Sequence, residues 1–402
     1  MRLFLVRHGQ SEANATKTHA GQLDVKLTDN GILQAQAIAP LLADIKFDRV
    51  YSSDLIRAIE TQRNALPDAE PITTPLLREY DVGHIAGRKF EDTNGEYGKG
   101  FASNRDYRRF GGENTDDICA RLRKFLTQLE QDPCDNVIAF AHDGIMSSMM
   151  RLVLGCEYDY HSVFSHNCAI HVFEFNGKQW NLICWDYMNK FDADSVGEGK
   201  KVLFLVRHGQ SEANIQDVFG GQHDYKLTEQ GIKEAESIRD TLALHTFEKV
   251  YCSDLSRAVN TQKLALPGYD AETTPLIREI DEGNLVGTSI TEAAAKYGRE
   301  FMVRRDYTEF DGESAPMMKA RIEKFLSKVE ASDSKVSIAF AHNGTINTML
   351  EIVTKSDYDR TALESANCGI HIFKFDGQGW ILTCWNYMYS LTGKTNDHTN
   401  NK

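Results

Sequence analysis

The chain has 402 residues, more than one typical domain of roughly 100–200 residues accounts for. Hydrophobic residues make up 41% and charged residues 26%, with only 8 prolines, which excludes a collagenous or linker-rich chain. A net charge of −13 excludes a nucleic-acid binder that relies on bulk positive charge, but leaves room for a small basic pocket.

The opening MRLFLVRHGQ breaks its apolar run at Arg7 and His8, too soon for a signal peptide or a membrane span. The eight cysteines form no CxxC pair, and several sit in apolar strand-like runs. A reduced, cytoplasmic setting is the expectation, with neither nucleic acid nor membrane as partner.

The chain is written twice at a constant offset of 200. LFLVRHGQSEAN at Leu3 returns at Leu203, YSSDLIRA at Tyr51 becomes YCSDLSRA at Tyr251, and FAHDG at Phe140 becomes FAHNG at Phe340. So long a period means whole domains, not a solenoid. The expected organisation is domain one over 1–190, a polar linker over 191–201, domain two over 202–392 and a polar tail over 393–402. The charge divides as −7 and −6, so neither half is a basic arm.

Within each copy, strands alternate with helices. Arg2–Val6 is a short apolar run that suits a buried strand. Thr28 caps a helix to Ile45 with its apolar stripe at Ile32, Ala35, Ile38, Ala39 and Leu42. A second strand follows at Arg49–Ser52, and Asp54 is the expected cap of a helix from Leu55 to Ala65. Tyr80–Glu113 is polar and less regular, a candidate lid. Thr115–Gln131 reads as a helix, Val137–Ala141 as a strand, and Met146–Leu154 as a helix. Ala169–Phe175 and Trp180–Trp185 form a closing pair around Asn176-Gly177. The order predicts two tandem three-layer α/β/α domains, each with a mostly parallel central sheet and an inserted lid.

Ligands of such sheets bind beyond the carboxyl ends of the strands. Three runs place polar residues there: Arg7-His8-Gly9, Ser53-Asp54 and His142-Asp143-Gly144, with their counterparts 200 positions on. Their convergence predicts one site per domain.

As a set, LVRHGQSEAN, GQxDxxLTxxG, SDLxRAxxT, LREYDVG and AHDG resemble the histidine phosphatase superfamily, the group that includes cofactor-dependent phosphoglycerate mutase. The resemblance spans about 1–190 and 202–390. It implies that His8 and His208 take the phosphoryl group as phosphohistidine. It further implies that His142 and His342 donate hydrogen bonds to that group. Glu79 and Glu279 match the general acid, with Asp81 and Asp281 as alternatives two positions on. Asn14 and Asn214 match a further phosphate contact, and Gly21-Gln22 and Gly221-Gln222 would cover the phosphate with backbone donors.

The physics of these residue types agrees. An attacking imidazole must be neutral, and cations such as Arg7 and Arg57 lower its pKa. The same guanidiniums, with Arg207 and Arg257 in the second copy, bind phosphate in bidentate fashion. Asp143 beside His142 is expected to raise that histidine's pKa, while Asn343 beside His342 would not, so that the copies differ in pH profile. No HExxH or CxxC metal signature appears, and neither metal nor cofactor is expected.

The lid segments differ most. Arg88 and Lys89 become Thr288 and Ser289, and Arg108-Arg109 become Thr308-Glu309. Arg105 and Tyr107 persist as Arg305 and Tyr307. These are candidate substrate contacts, and the cations of copy one would favour a more anionic substrate. The expected function is metal-independent hydrolysis of a small phosphorylated metabolite in each domain. Mutase-type phosphoryl transfer is the alternative, as is one domain serving as a phospho-ligand sensor. The short span from Glu79 to His142 favours a phosphatase.

Overall fold

The computed structural model describes the chain except residues 99, 102–104, 188–199, 359, 364, 388–390 and 392–402. The expected linker, apart from Lys200 and Lys201, and the expected tail lie outside the described residues. The chain forms two compact units, one built on Met1–Asn189 and the other on Lys190–Arg360 with Ser365–Met388.

In the first unit, β1 (Arg2–Arg7), β2 (Arg49–Ser53), β3 (Ile72–Thr74) and β4 (Asn136–Ala141) pair in parallel in the order β3-β2-β4-β1. β5 (Ile170–Phe175) and β6 (Trp180–Tyr187) continue the sheet antiparallel beyond β1. Leu3–Val6 are all fully buried. An unbroken buried run means that both faces of the strand are covered. Phe4 and Val6 share a cluster with Ala35, Ile38 and Leu42 of α2 (Asp29–Leu42) and Ala58 and Ala65 of α3 (Ile56–Ala65). Tyr51 of β2 meets Phe125 of α5 (Thr115–Gln131) edge to face, at a ring separation of 5.2 Å. α5 in turn packs on α6 (Asp143–Leu154). This is the three-layer arrangement with a mostly parallel sheet that the strand–helix alternation predicts.

Local chemistry sets the helix starts. The Thr28 hydroxyl accepts the Gly31 N–H at 3.1 Å, as expected of an N-cap. Asp54 does not cap α3. Its carboxylate is held by a two-pronged bond from Arg78, with Nε at 2.7 Å and Nη2 at 2.6 Å. The first N–H of α3, on Ile56, donates instead to Asp24 Oδ1 at 2.7 Å, from the GQxDxxLT loop. α6 starts at Asp143 and not at Met146, because the Ile145 and Met146 N–H groups both reach His142 O, at 3.0 and 3.1 Å. The apolar stripe, which begins later, hides this first turn from the sequence. A short helix, α1 (Glu12–Thr16), follows the strand-end loop, and α4 (Phe90–Tyr97) gives the lid one helix.

The second unit repeats this plan with β7 (Lys201–Arg207), β8 (Lys249–Ser253), β9 (Glu272–Thr274) and β10 (Val336–Ala341) in the order β9-β8-β10-β7. β11 (Ile370–Phe375) and β12 (Trp380–Tyr387) close it antiparallel. Its helices are α7 (Glu212–Gln216), α8 (Glu229–Ser237), α9 (Arg239–Ala243), α10 (Ser256–Ala265), α11 (Ile290–Arg304), α12 (Ala315–Ala331) and α13 (Asn343–Thr354). β7 takes up Lys201, one residue before the boundary expected from the sequence. Asp224 repeats the role of Asp24, accepting the Ser256 N–H at 2.7 Å.

Replacing Asp24 by Ala should cost about 1 kcal/mol, the usual size for a lost helix cap. Urea unfolding checks this; an unchanged midpoint would show that the bond to Ile56 contributes nothing.

Candidate active site

The parallel register pairs Arg7 of β1 with Ala141 of β4. The next residue on each strand is therefore a histidine, and the His8 N–H still reaches Ala141 O at 3.0 Å. The two imidazoles stand side by side, their centroids 5.1 Å apart. His8 Nδ1 lies 2.7 Å from Gly9 O. A carbonyl only accepts, so Nδ1 carries the proton and Nε2 keeps its lone pair. The Gly9 N–H is fixed in turn by Thr61 Oγ1 at 3.0 Å. His142 Nε2 meets Ser53 Oγ at 2.9 Å, and its Nδ1 is buried with no hydrogen-bond partner among the described residues.

Arg57, the second residue of α3, is 1% exposed. Its Nη1 donates to Leu23 O at 2.9 Å and its Nη2 to Gly21 O at 2.8 Å, while its Nε has no partner among the described residues. Arg7 bonds Ser165 O through Nη1 and also leaves a buried Nε without a partner. Two buried guanidinium donors, Arg7 Nε and Arg57 Nε, and the ring nitrogen His142 Nδ1 are thus without partners among the described residues beside the His8 imidazole. Buried polar groups in proteins are nearly always bonded, so such a set marks a place for an anion with several acceptor oxygens.

The electrostatics follow. Burial, then Arg57 and Arg7, hold the His8 pKa well below the usual 6.5. Burial, then Arg57 and His8, do the same to His142. Burial brings Arg57 down to about 10, so it remains a cation at neutral pH. The expectation that Asp143 raises the pKa of His142 is corrected. The Asp143 carboxylate faces Arg7 at 3.4 Å and Arg105 at 2.9 Å. Its burial opposes ionisation, but the two guanidiniums outweigh that and its pKa falls. His342 beside Asn343 is lowered by burial and Arg257 in the same way.

Glu79 is held at the start of α6. Its Oε1 accepts the Tyr80 N–H at 2.9 Å and the Gly144 N–H at 3.1 Å. A Cβ on Gly144 would lie 2.0 Å from that oxygen, so the AHDG glycine is what admits the carboxyl. Asp81, the alternative acid, bonds the Gly83 N–H instead, at 2.8 Å. Arg121 spans Leu76 O, Arg78 O and Glu79 O and pairs with Glu113, bracing the segment that carries Glu79.

A cavity of ≈ 470 Å³ is lined by Arg7, His8, Asn14, Arg57, Glu79, Arg105 and Tyr107, among others. Asn14 Oδ1 accepts the Ser11 N–H at 3.1 Å, which leaves its amide N–H groups as donors. The Gln22 side chain is turned from the cavity, donating to Glu79 O at 3.1 Å. Arg88 is tied to Glu96 and to the Tyr97 hydroxyl. Lys89 leads into α4. Neither lines the cavity. Arg109 stacks over Tyr97, Phe101 and Phe110. His19 and His161, which have no counterparts in the second copy, do line the wall. So does Phe90.

The second unit repeats the core of this geometry. The His208 and His342 rings lie 5.1 Å apart, His208 Nδ1 is 2.7 Å from Gly209 O, and His342 Nε2 is 2.8 Å from Ser253 Oγ. Arg257 reaches Gly221 O and His223 O at 2.8 and 2.7 Å. Glu279 takes the Gly344 N–H at 3.0 Å. Arg207 bonds Ser365 O, and Asn214 and Gln222 hold the same bonds as Asn14 and Gln22. Arg305 lies 3.8 Å from Glu279, and Tyr307 is buried beside it in the lid segment.

The model of the histidine phosphatase superfamily, branch 1, matches residues 3–187 and again 203–388. The chain belongs to the histidine phosphatase superfamily. Its chemistry is phosphoryl hydrolysis or transfer. A stretch of 117 residues, 27% of the chain, is 40% identical to a 2,3-bisphosphoglycerate-dependent phosphoglycerate mutase of Bradyrhizobium, of which it spans 56%. Another of 161 residues, 38% of the chain, is 32% identical to the adenosylcobalamin/alpha-ribazole phosphatase of Salmonella typhimurium and spans 80% of it. A solved mycobacterial glucosyl-3-phosphoglycerate phosphatase is 25% identical with a TM-score of 0.43, over 46% of this chain and 98% of its own. Among the described residues no helix is long and apolar enough to cross a membrane.

The sequence reading leaves out Arg121 of this histidine phosphatase site and carries Ser53, Thr61 and Asp24 only inside a strand end or motif, with no role assigned. All four recur 200 positions on, which is the signal that could have found them.

Four buried site histidines, with His171 at about 4 and His371 at about 3, stay neutral in the folded chain where an unfolded chain would protonate them. The unfolded state then binds more protons below about pH 6.5, so stability is full above that value and lost as pH falls. The unfolding midpoint should drop steadily from pH 7 to pH 5. A midpoint flat over that range would contradict the neutral assignment.

Proposed function

We propose that the chain is a metal-independent phosphomonoester hydrolase that works through a phosphohistidine on His8 and, independently, on His208, with a small phosphorylated metabolite as substrate. The observation that carries the reading is the pinning of Nδ1 of each nucleophile by its neighbour's carbonyl, with Nε2 left to attack among buried cationic and imidazole donors. Phosphoryl transfer needs positioning and charge neutralisation more than covalent help. Arginines and neutral imidazoles meet that need from the chain's own residues.

In the first half-reaction, His8 Nε2 forms a bond to phosphorus while the ester P–O bond breaks. The leaving alkoxide takes the proton of the Glu79 carboxyl. In the second, Glu79 removes a proton from water, the water oxygen bonds to phosphorus, and the P–N bond breaks to release inorganic phosphate. His142 Nδ1, Arg7 Nε and Arg57 Nε, buried without partners among the described residues, would neutralise the equatorial oxygens throughout.

His8→Ala and His208→Ala should each leave phosphatase activity in the full chain, and the double variant should have none. Loss of all activity in either single variant would show that the sites do not work independently. Glu79→Gln in the His208→Ala background should slow alkyl phosphates by about 10²-fold or more while sparing p-nitrophenyl phosphate, whose leaving group needs no proton. Equal slowing of both would remove Glu79 from the acid role.

A further inference from the structure

Val82 of the first unit is Glu282 in the second, and the two backbones agree there. Val82 has φ −95° and ψ 7°, and Glu282 has φ −94° and ψ 4°. Val82 lines the first cavity and offers no polar atom. Glu282 instead turns a carboxyl onto the loop that carries the phosphate-binding motif, where its Oε2 accepts the Gly221 N–H at 2.7 Å. Arg257 bonds the carbonyl of the same glycine. The anion-binding arginine and an extra carboxyl therefore hold Gly221 from its two ends.

We propose that Glu282 is a specificity-determining residue of the second site, setting it against phosphomonoesters whose alcohol portion is anionic and toward those whose alcohol portion is neutral or cationic. The inference rests on the reading of the second unit as a phosphomonoester site. The groups that face Glu282 are Glu279 on its own segment, Arg257 of α10, and Arg305 and Tyr307 from the lid. Burial, then Glu279, lift its pKa to about 8, against the pull of Gly221, Arg305 and Arg257. The carboxyl is neutral below that value and charged above it. A phosphate monoester is already a dianion there, with its second pKa near 6. Discrimination against a further anionic group therefore widens as pH rises from 7 to 9.

The test uses the full chain with 2-phosphoglycolate and O-phosphoethanolamine, which are similar in size and opposite in the charge of the alcohol portion. Calorimetric titration takes as parent the full chain carrying His8→Ala and His208→Ala, which turns over neither compound, and the change on adding Glu282→Val or Glu282→Gln belongs to the second site, because only that site is altered. In the parent, the second site should lose about tenfold in affinity for 2-phosphoglycolate between pH 7 and pH 9, following the neutral fraction of one carboxyl. O-phosphoethanolamine should lose none. Both variants should abolish the loss, and Glu282→Gln keeps an acceptor for Gly221 and so separates charge from structure. An affinity for 2-phosphoglycolate with the same pH dependence in parent and variants overturns the inference. In the His8→Ala background, Glu282→Val should also raise kcat/KM for 2-phosphoglycolate relative to O-phosphoethanolamine about tenfold at pH 9. No turnover of either compound in that background counts against hydrolysis at His208, while the binding measurement still decides the role of Glu282.

Discussion

The site depends on the register of one pair of parallel strands. With Arg7 opposite Ala141, the residues that leave the sheet next are His8 and His142, and both imidazoles are delivered to one point. A slip of one residue would send every side chain of β1 to the other face. Leu3–Val6 are buried throughout, so that slip is opposed by the covering of both faces, not by the site itself. The second unit repeats the pairing as Arg207 opposite Ala341 and arrives at the same ring separation. The core thus fixes the chemistry, and the strand ends merely inherit it.

Once the histidines are placed, the problem is to bring positive charge beside them without protonating them. A net charge of −13 gives no help from the molecule as a whole. The solution is to bury the cations and bind them by backbone carbonyls. Arg57 is caged by Gly21 O and Leu23 O, and Arg7 by Ser165 O. Carbonyl dipoles hold a guanidinium without cancelling its charge, as a carboxylate would. Asp143 is the one carboxylate placed against Arg7 among the described residues, and it is shared with Arg105. Burial, with Arg57 and the partly compensated Arg7 beside it, then depresses both histidines and leaves Nε2 of His8 as a lone pair.

What the sequence could tell follows the range of each interaction. Periodicity and strand–helix order gave the layers, because burial of Ala35, Ile38 and Leu42 is a property of a single helix face. Thr28 was legible as a cap because the bond it makes is three residues away. Asp54 was misread for the same reason. The nearest carboxylate is the natural cap on paper, yet Arg78, 24 residues on, claims it, and Asp24, 32 residues before Ile56, takes its place. The Asp143 carboxylate is adjacent to His142 in the chain but answers to Arg7 and Arg105 in space. Motifs placed the residues at the strand ends. Motifs could not reveal that the lid cations Arg88 and Arg109 spend their charge on Glu96 and on aromatic faces instead of on the cavity.

The two copies show how far such a site can change without moving. Positions that carry backbone geometry, such as Gly144 and Gly344, tolerate nothing larger, since a Cβ there would meet the glutamate oxygen at 2.0 and 1.9 Å. Positions that only line the wall are free of that constraint. The partner of Arg105 is Asp143 in the first copy, whereas Arg305 faces Glu279 across 3.8 Å in the second. Each exchange keeps a buried guanidinium compensated, as burial demands, but moves the compensating role to a different carboxylate. The reacting groups are therefore held constant by packing and register, while the charge around them is set by side chains that packing does not constrain. That division would let two sites keep one geometry while the charge around them differs.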